Sequence, residues 1–379
     1  MDLLDTPSEA AFRNEARLWL EQHVPTEDLP SGDTREGFAR HLEWERELFD
    51  ARWSVVSWPA QYGGRDATVW EWIIFEEEYY RAHGPQRVTQ NGIFLLAPSL
   101  FAFATPQQQD QFLLPMASGE QTWCQGWSEP GSGSDLASIV SRAVRDEAGG
   151  GWRLSGQKTW TTRGAFCTHL FGLFRSDPES ERHRGLTYFL LPLDSKGVTV
   201  RGFGRLDGDE GFADVFFDDV FVSDDAVLGD VGQGWRIAMS TTSSERGLTL
   251  RSPGRFSASI ERLRQLAHHN DGDVSEQNRH RVANAWMGAE AYRLFTLGQV
   301  SRMLEGSVRE AESSLNKVYW SELDIEIQEA AMAMLGSEAE RDDYWSRAFM
   351  FSLGGPIYAG TNEIQRNLIA ERMLGLPRS

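Results

Sequence analysis

A turn rich in glycine and serine is the first segment whose composition could do chemistry. Residues 131–135 read Gly-Ser-Gly-Ser-Asp, and the backbone amides of such a turn can cradle an anion. The segment lacks the Lys-Ser/Thr pair of a P-loop and the G-x-G-x-x-G spacing of a dinucleotide-binding turn, so neither nucleotide site is indicated. Taken alone, the turn leaves two interpretations open, an anion site and a tight solvated loop.

Histidine and cysteine form no pattern that is typical of a metal site or a nucleophile. The eight histidines are scattered, and the adjacent pair His268 and His269 cannot face one site from a regular helix. H-E-x-x-H, C-x-x-C and G-x-S-x-G motifs are absent, so we expect no metal and no serine triad. With only Cys124 and Cys167 present, no disulfide framework is expected, which fits a reducing cytoplasm.

The charge and the apolar runs exclude other classes of protein. The formal net charge of −19 predicts an average surface that repels nucleic acids. No stretch of about 18 apolar residues predicts a membrane span. The acidic N-terminus lacks the features of a signal or transit peptide. We therefore expect a cytoplasmic protein that contacts neither nucleic acid nor membrane.

The period of the apolar residues changes twice along the chain, from helical to β-type and back. This order predicts an α+β multidomain protein with an N-terminal all-helical domain (1–121), a central β-barrel (122–229) and a C-terminal helical domain (230–379). Thr6, Pro7 and Glu9 predict a capping box at the first helix. Further helices are expected around 35–50, 67–82, 91–103 and 106–117, and strands around 152–154, 170–174, 186–191, 198–200 and 215–222.

Four segments together resemble the acyl-CoA dehydrogenase family, in its actinobacterial form. Ser-Glu-Pro at 128–130 runs into the Gly-Ser-Gly-Ser-Asp turn, and 156–162 reads Gly-Gln-Lys-Thr-Trp-Thr-Thr. Glu-Arg-Gly at 245–247 resembles the start of the helix that lines the thioester end of the acyl pocket. Tyr-Ala-Gly-Thr-Asn-Glu-Ile-Gln-Arg at 358–366 resembles the near-terminal motif. Order and spacing agree over essentially the whole chain. The resemblance implies a flavin-dependent oxidoreductase acting on CH–CH groups, and it implies that the C-terminal helical domain (230–379) is a four-helix bundle.

The resemblance implies that FAD is the cofactor. Ser128 and Thr162 are expected to hydrogen-bond the flavin ring, with the Thr162 hydroxyl near N5, where hydride arrival creates an electron-rich ring. Trp160 is expected against the isoalloxazine; the alternative is plain barrel core. Hydroxyls that bond only backbone or water remain the alternative for Ser128 and Thr162. The expected cofactor-binding residues are Trp127, Ser128, Trp160, Thr162, Thr361 and Glu363, and Thr361 is also a natural N-cap.

The same resemblance implies a set of substrate contacts. Ser134 matches the serine that contacts the coenzyme A tail, and Arg246 matches an arginine at the mouth of that channel. An ion pair within the helix is the alternative for Arg246. Tyr358 and Gly360 complete the expected substrate-binding residues.

The base is where this sequence departs from many members of the family. They have Tyr-Glu-Gly-Thr, whose glutamate is the base, but here that position is Ala359. A minority, including isovaleryl and long-chain types, place the glutamate just before the arginine of the pocket helix, which is Glu245 here. We predict that Glu245 removes the α-proton while the β-hydrogen leaves as hydride to flavin N5. The Ala359 backbone N–H is expected to polarise the thioester carbonyl, with a flavin ribityl hydroxyl as the second donor. A glutamate on a solvated helix face is the alternative.

A second departure concerns the residues that bind the FAD pyrophosphate. Homotetrameric members usually carry an Arg-x-x-Phe-Gly stretch that clamps the FAD pyrophosphate of a neighbouring subunit. Residues 262–270 read Arg-Leu-Arg-Gln-Leu-Ala-His-His-Asn, and Leu-Gly-Ser at 335–337 replaces a longer Gly-Gly turn. The hypothesis that follows is FAD bound differently, weakly or with help from a partner subunit.

Several alternatives for function and partners stay open. The main interpretation is α,β-desaturation of an acyl-CoA in fatty acid or secondary metabolism, with electrons passed to an electron-transfer flavoprotein. The same oxidation of an acyl or aminoacyl group on a carrier protein is one alternative, and a non-catalytic subunit of a heteromeric enzyme is another. A flavin monooxygenase is a third. We expect a homo- or hetero-oligomer, either a dimer or a dimer of dimers.

Overall fold

The computed structural model describes residues 4–245, 252–269, 275–307 and 311–377. Its α-helices are α1 Pro7–His23, α2 Arg35–Asp50, α3 Val69–Arg81, α4 Ala97–Phe103, α5 Pro106–Ala117, α6 Gly234–Glu245, α7 Pro253–His269, α8 Glu276–Leu304, α9 Glu312–Leu335, α10 Tyr344–Ser352 and α11 Asn362–Arg372. Its strands are β1 Trp123–Gly126, β2 Arg142–Asp146, β3 Gly151–Thr162, β4 His169–Arg175, β5 Leu186–Pro192, β6 Val198–Phe203, β7 Phe212–Ser223 and β8 Val227–Leu228. The predicted order of helices, strands and helices is confirmed.

The chain divides into two compact units. The helical unit comprises Met1–Pro25, Ala67–Gly84 and Glu245–Ser379, and the sheet unit comprises Thr26–Asp66 and Pro85–Ser244. In the helical unit α1 and α3 therefore fold together with α7 to α11, although they are far apart in sequence. The division into domains 1–121, 122–229 and 230–379 stays a prediction.

The sheet unit is built around one mixed sheet of eight strands. Their order is β6-β7-β3-β2-β4-β5-β8, with β1 paired to β4 in parallel. The long strand β3 pairs antiparallel with both β2 and β7. Among the pairings of the described residues none joins β6 to β8, so the predicted closed barrel is not shown. The core of the sheet is apolar; it includes Leu154, Leu170, Phe174, Phe189 and Val215.

The sheet unit also contains helices, among them α4 before the strands and α6 after them. Residues Asn91–Leu96 are π-helical and lead into α4, where an α-helix over 91–103 was predicted. On α4, Ser99 is fully buried and its hydroxyl lies 2.7 Å from that of Thr241 on α6. The α4 and α6 helices are thus in direct contact.

In the helical unit, local capping and a shared apolar core explain the helices. The capping box of α1 is confirmed: the Glu9 amide donates to the Thr6 hydroxyl at 3.3 Å and the Thr6 amide to the Glu9 carboxylate at 2.7 Å. Helix α9 packs against α7, α8, α10 and α11. Phe256, Tyr292 and Trp320 are central to the core of these helices. No helix in the described ranges combines the length and the apolar composition needed to cross a bilayer.

Candidate active site

Two of the motif segments lie side by side in the sheet unit. The Thr159 amide donates a hydrogen bond to the Ser128 carbonyl at 2.9 Å. Ser128 follows β1 closely, and Thr159 belongs to the last part of β3. This bond therefore brings Ser128 to the end of β3 that carries Trp160 and Thr162.

Trp160 stands out from the sheet at a distortion of β3. The register between β3 and β7 shifts between Lys158 and Thr161, and the backbone of Trp160 is left-handed with φ +56°. A left-handed backbone is unfavourable for a large L-residue. The indole is 61% exposed and packs edge-on against Phe203 and Phe212. It is therefore not a core residue.

Three polar groups near this point have no hydrogen-bond partner among the described residues. The hydroxyls of Ser128 and Thr162 are both half-buried. The indole N–H of Trp127 is buried without a partner, while its ring packs edge-on against Phe171 and Tyr188. A buried donor without a partner is costly, and such groups are often satisfied by a ligand.

A buried ion pair joins the same two segments. Lys158 is fully buried, and its Nζ lies 2.7 Å from Glu129 Oε1. The other donors to Glu129 are the amides of Val140 at 2.7 Å and Ser141 at 3.0 Å. Burial lowers the pKa of Lys158 to about 8, against the opposing effect of Glu129. Burial would raise the pKa of Glu129, but the charge and hydrogen bond of Lys158, the Val140 amide and the Ser141 side chain hold it below its usual value.

The Gly-Ser-Gly-Ser-Asp turn is open to solvent. Ser134 is exposed, and a Cβ added at Gly131 or Gly133 would meet no atom within 4 Å. The turn is held at its ends: Glu129 and Ser132 exchange backbone hydrogen bonds of 3.0 Å, and Asp135 forms an exposed 3.1 Å ion pair with Arg182. The backbone around Ser134 is accessible to a ligand.

The near-terminal motif belongs to the helical unit. Tyr358 is half-buried and its ring packs against Trp320 at 5.8 Å. Ala359 and Gly360 are both left-handed, with φ +57° and +81°. Thr361 is the N-cap of α11 and accepts from the Ile364 amide at 3.3 Å. Exposed Glu363 has its pKa lowered by its own backbone amide and by the Thr361 hydroxyl.

The predicted base stands at the end of a helix. Helix α6 begins at Gly234, after left-handed turns at Gly229 and Gly232, so the expectation that Glu245 starts this helix is wrong. Glu245 is the last residue of α6 as the structure describes it. Its side chain, and Arg246 as a whole, lie outside the described residues.

Comparison with known proteins identifies the family. Residues 6–120, 124–220 and 232–374 match the models of the N-terminal, middle and C-terminal domains of acyl-CoA dehydrogenases. The chain belongs to the acyl-CoA dehydrogenase family. It is thus an oxidoreductase of a flavoprotein family. It is 37% identical to the acyl-CoA dehydrogenase IpdE1 of Mycobacterium tuberculosis over 97% of both chains.

Solved acyl-CoA dehydrogenase structures share the fold over the whole length. A protein described as the Tcur3481-Tcur3483 steroid ACAD superimposes with a TM-score of 0.89, at 25% identity and full coverage of both chains. The ChsE4-ChsE5 complex from Mycobacterium tuberculosis gives a TM-score of 0.85 at 26% identity, again with full coverage of both chains. Both descriptions join two names, and the second is described as a complex.

Membership of this family implies a flavin, and the sheet unit has groups that fit one. Within the described ranges Ser128 and Thr162 offer hydroxyls without other partners, Trp127 offers a buried indole N–H, and Trp160 offers an exposed aromatic face. A planar, polar, aromatic ring is the kind of ligand that such a set can hold.

The structure brings some predicted residues together and leaves others unconnected. Trp127, Ser128, Trp160 and Thr162 share one region of the sheet unit. Tyr358 to Glu363 form a second group in the helical unit. Sequence reasoning missed the pair of Glu129 and Lys158, although a signal existed: Lys158 shares the inward face of β3 with Trp152 and Leu154 by strand alternation. A lysine at an inward position requires an acidic partner.

Proposed function

We propose that this chain is an FAD-dependent dehydrogenase that introduces an α,β double bond into an acyl-CoA thioester. The observation that carries the proposal is the 2.9 Å hydrogen bond between Thr159 and Ser128, which joins two motif segments. Close to it lie the hydroxyls of Ser128 and Thr162, which have no hydrogen-bond partner in the described part of the chain, and an exposed Trp160. Full-length similarity to the family supports assigning the flavin ring to this surface.

Glu245 is the proposed base. The α-proton of a thioester is weakly acidic, so its removal needs both a positioned carboxylate and stabilisation of the negative charge that develops on the thioester oxygen. Position 359 holds alanine and cannot accept the proton, whereas Glu245 occupies the alternative position used by a minority of the family. The α-carbon loses its proton to the carboxylate as the new double bond forms.

Ala359 contributes its backbone amide to the other side of this step. An amide N–H aimed at the thioester oxygen stabilises the charge that develops there, and it needs no side chain. The left-handed backbone at Ala359 and Gly360 orients successive amides in a way that an extended strand does not. The alanine is therefore compatible with an active enzyme.

The cofactor we propose is FAD. When bound, FAD supplies the two-electron acceptor that takes the β-hydrogen as hydride at N5. The residues proposed to hold it are Trp127, Ser128, Trp160, Thr162, Thr361 and Glu363. Hydrogen bonds from fixed hydroxyls favour the ring in one orientation and cost no reorganisation during the reaction.

The thioester arm is assigned to a second set of residues. We assign its contacts to Ser134, Arg246, Tyr358 and Gly360. Exposed Ser134 lies on an open turn whose neighbouring glycines leave room for a long flexible group. Both coenzyme A and a carrier protein present this arm, and only coenzyme A adds an adenosine 3′-phosphate.

The acyl group that we favour is polycyclic. A protein described as a steroid ACAD is similar over the full length of this chain, at 25% identity. An electron-transfer flavoprotein is the proposed electron acceptor, and a second, different subunit is the proposed partner in the oligomer, because the descriptions of both similar structures join two names.

A thioester screen tests the function. The chain, supplied with FAD, is presented with straight, branched and polycyclic acyl-CoA esters and with the matching pantetheine thioesters, together with an artificial electron acceptor. Reduction of the acceptor by at least one thioester is expected, and the same thioester should bleach the flavin absorbance when the acceptor is left out. Absence of both a bound flavin and any thioester oxidation contradicts the proposal.

Substitution of the base gives a second test. Glu245→Gln keeps the size of the side chain but removes the proton acceptor. We expect flavin reduction by substrate to fall by about 10³-fold or more, the range that general-base catalysis commands, while FAD binding stays unchanged. Stopped-flow absorbance measures the reduction, and exposed Glu47→Gln on α2 is the matched control. Turnover near that of the wild type eliminates Glu245 as the base.

A further inference from the structure

Two charged residues within the recognised motifs have no role in the reaction described so far. Glu129 and Lys158 are 5% and 0% exposed, and the ammonium also lies 3.4 Å from the Trp127 carbonyl and 4.9 Å from the centre of the Phe174 ring. Burying two charges costs more than their attraction returns unless the geometry is excellent. Such a pair is weak grounds for added stability, so its presence needs another explanation.

The Glu129 carboxylate connects three separate segments. One oxygen accepts from Lys158 of β3 and from the Ser141 amide, and the other accepts from the Val140 amide. Glu129 itself belongs to the turn that exchanges hydrogen bonds with Ser132. The turn, the segment before β2 and the strand β3 thus meet at one buried carboxylate.

The proposed flavin contacts lie immediately beside both members of the pair. Ser128 directly precedes Glu129, and Trp160 follows Lys158 by two residues at the point where the register of β3 shifts. Trp160 holds a left-handed backbone that the indole does not favour. A strained conformation persists only where its surroundings fix it. The ion pair lies in the right place to do so.

We propose that the buried Glu129–Lys158 ion pair is a positioning device that sets the Ser128 hydroxyl and the Trp160–Thr162 segment at a fixed separation for the flavin ring. The proposal rests on the assignment of FAD to this surface. Neither residue touches the cofactor in this scheme; both act through the backbone on either side of the Ser128–Thr159 hydrogen bond. In this scheme the two charged residues are retained because the ion pair between them fixes the position of Ser128 relative to the end of β3.

Three variants separate positioning from stability. Lys158→Met leaves a buried carboxylate without its cation, and Glu129→Gln leaves a buried amine without its anion, so both single variants are expected to unfold at lower temperature. The double variant buries no charge, and the side-chain oxygen of the glutamine introduced at position 129 can still accept from one of the two amides, that of Val140 or that of Ser141. Its unfolding midpoint is therefore expected to recover towards that of the wild type.

The decisive measurement is FAD binding to the full-length chain, followed by flavin fluorescence and by the fine structure of the flavin absorbance bands. In the double variant the dissociation constant of FAD is expected to stay raised by about tenfold, because a small displacement of positioned groups costs one to two orders of magnitude. Its flavin bands are expected to remain shifted although stability has returned. A pair with a structural role alone predicts that FAD binding recovers together with stability.

A buried carboxylate elsewhere supplies the control. Glu78 on α3 is 2% exposed and accepts from Arg13, Arg17 and Arg81 within the helical unit. Glu78→Gln is expected to lower the unfolding midpoint and to leave FAD affinity unchanged. If the wild type binds FAD and the double variant binds it equally well with the same spectrum, the positioning role is overturned. If the wild type binds no FAD, the proposed function fails first and this inference fails with it.

Discussion

At the scale of single residues, the alanine at position 359 bears on which side chain is the catalytic base. Alanine there cannot take a proton, and its backbone is left-handed at φ +57°. A left-handed alanine costs roughly 1–2 kcal/mol relative to its usual conformations. The sequence resemblance places glutamate at this position in many members of the family, so exchange of the two base positions by substitution can be tested.

Moving the base is the first prediction at this scale. In a chain that carries Glu245→Gln, the added change Ala359→Glu is expected to restore part of the lost flavin reduction, at about 1–10% of the wild-type rate, because a misplaced base loses one to two orders of magnitude. Stopped-flow reduction by a substrate thioester measures it. Ala359→Gln in the same background is the control, with the same shape and no proton acceptor. Equal rates for the glutamate and glutamine variants contradict the prediction.

The functional roles of individual residues could be predicted only where the residues belong to a family motif. Ser128, Trp160 and Thr162 could be selected because the family motif names their positions. The left-handed backbone of Trp160 could not, since it depends on the register shift between β3 and β7. The partner of Lys158 was also missed: 29 positions separate it from Glu129, and only the fold brings them together.

At the scale of elements, a buried charge cluster ties the loop before α2 to the end of β3. Asp33 is 5% exposed and lies between two guanidiniums, 2.8 Å from Arg163 Nε and 2.6 Å from Arg205 Nη1. Burial opposes its ionisation, but the charges of Arg163 and Arg205 hold the pKa of Asp33 below 3.8. Arg163 directly follows Thr162, the last residue of β3. The cluster therefore anchors the end of β3 that carries Thr162.

Removing this anion is the prediction at this scale. Asp33→Asn leaves the buried Arg163 without its anion and is expected to lower the unfolding free energy at pH 7 by about 3–5 kcal/mol. Because the folded-state pKa lies below the ordinary value, the stabilisation is complete above the ordinary pKa and is lost as pH falls through the folded value. Denaturant unfolding at pH 7 and near pH 3 measures both effects, and the difference between the two proteins should be smaller at the lower pH.

A surface ion pair provides the comparison for this experiment. Arg40 and Glu43 on α2 are 3.4 Å apart, with more than half of each side chain exposed. Glu43→Gln is expected to change the unfolding free energy by less than about 1 kcal/mol at either pH. A loss of similar size in both variants, or a pH-independent loss for Asp33→Asn, contradicts the role given to the cluster.

The elements themselves were more predictable than their details. Capping signals and strand alternation depend on neighbouring residues, and the capping box of α1 and the strands of the sheet unit follow them. Trp286, Ala289 and Tyr292 follow one another on α8 at the spacing of one apolar helix face, but only Ala289 and Tyr292 are buried, whereas Trp286 is 56% exposed. Which face of a helix is buried depends on its neighbours. The π-helical turn at Asn91–Leu96 likewise has no signal in the apolar period.

At the scale of the whole molecule, the question is which residues bind the part of FAD that lies outside the flavin ring. Two arginines of α7 lie in the stretch where the family's clamp motif cannot be placed, and both are engaged within the helical unit. Arg262 donates to the Tyr344 hydroxyl at 2.9 Å and lies 3.0 Å from His83 Nδ1. Arg264 forms two hydrogen bonds with Glu261, at 2.7 and 2.8 Å. Neither guanidinium is directed by these contacts towards a second subunit.

The last prediction follows from these contacts. The chain purified alone is expected to retain less than one FAD per chain after gel filtration, because a clamp that relatives use has no counterpart in these arginines. Arg262→Ala should lower stability by about 1 kcal/mol through its lost hydrogen bonds and leave FAD affinity unchanged. The ratio of flavin to protein absorbance and a titration with FAD measure these quantities. One tightly held FAD per chain, or weaker FAD binding in Arg262→Ala, would show that this chain grips its cofactor without a different partner subunit, and the heteromeric assembly proposed for it would lose its physical basis.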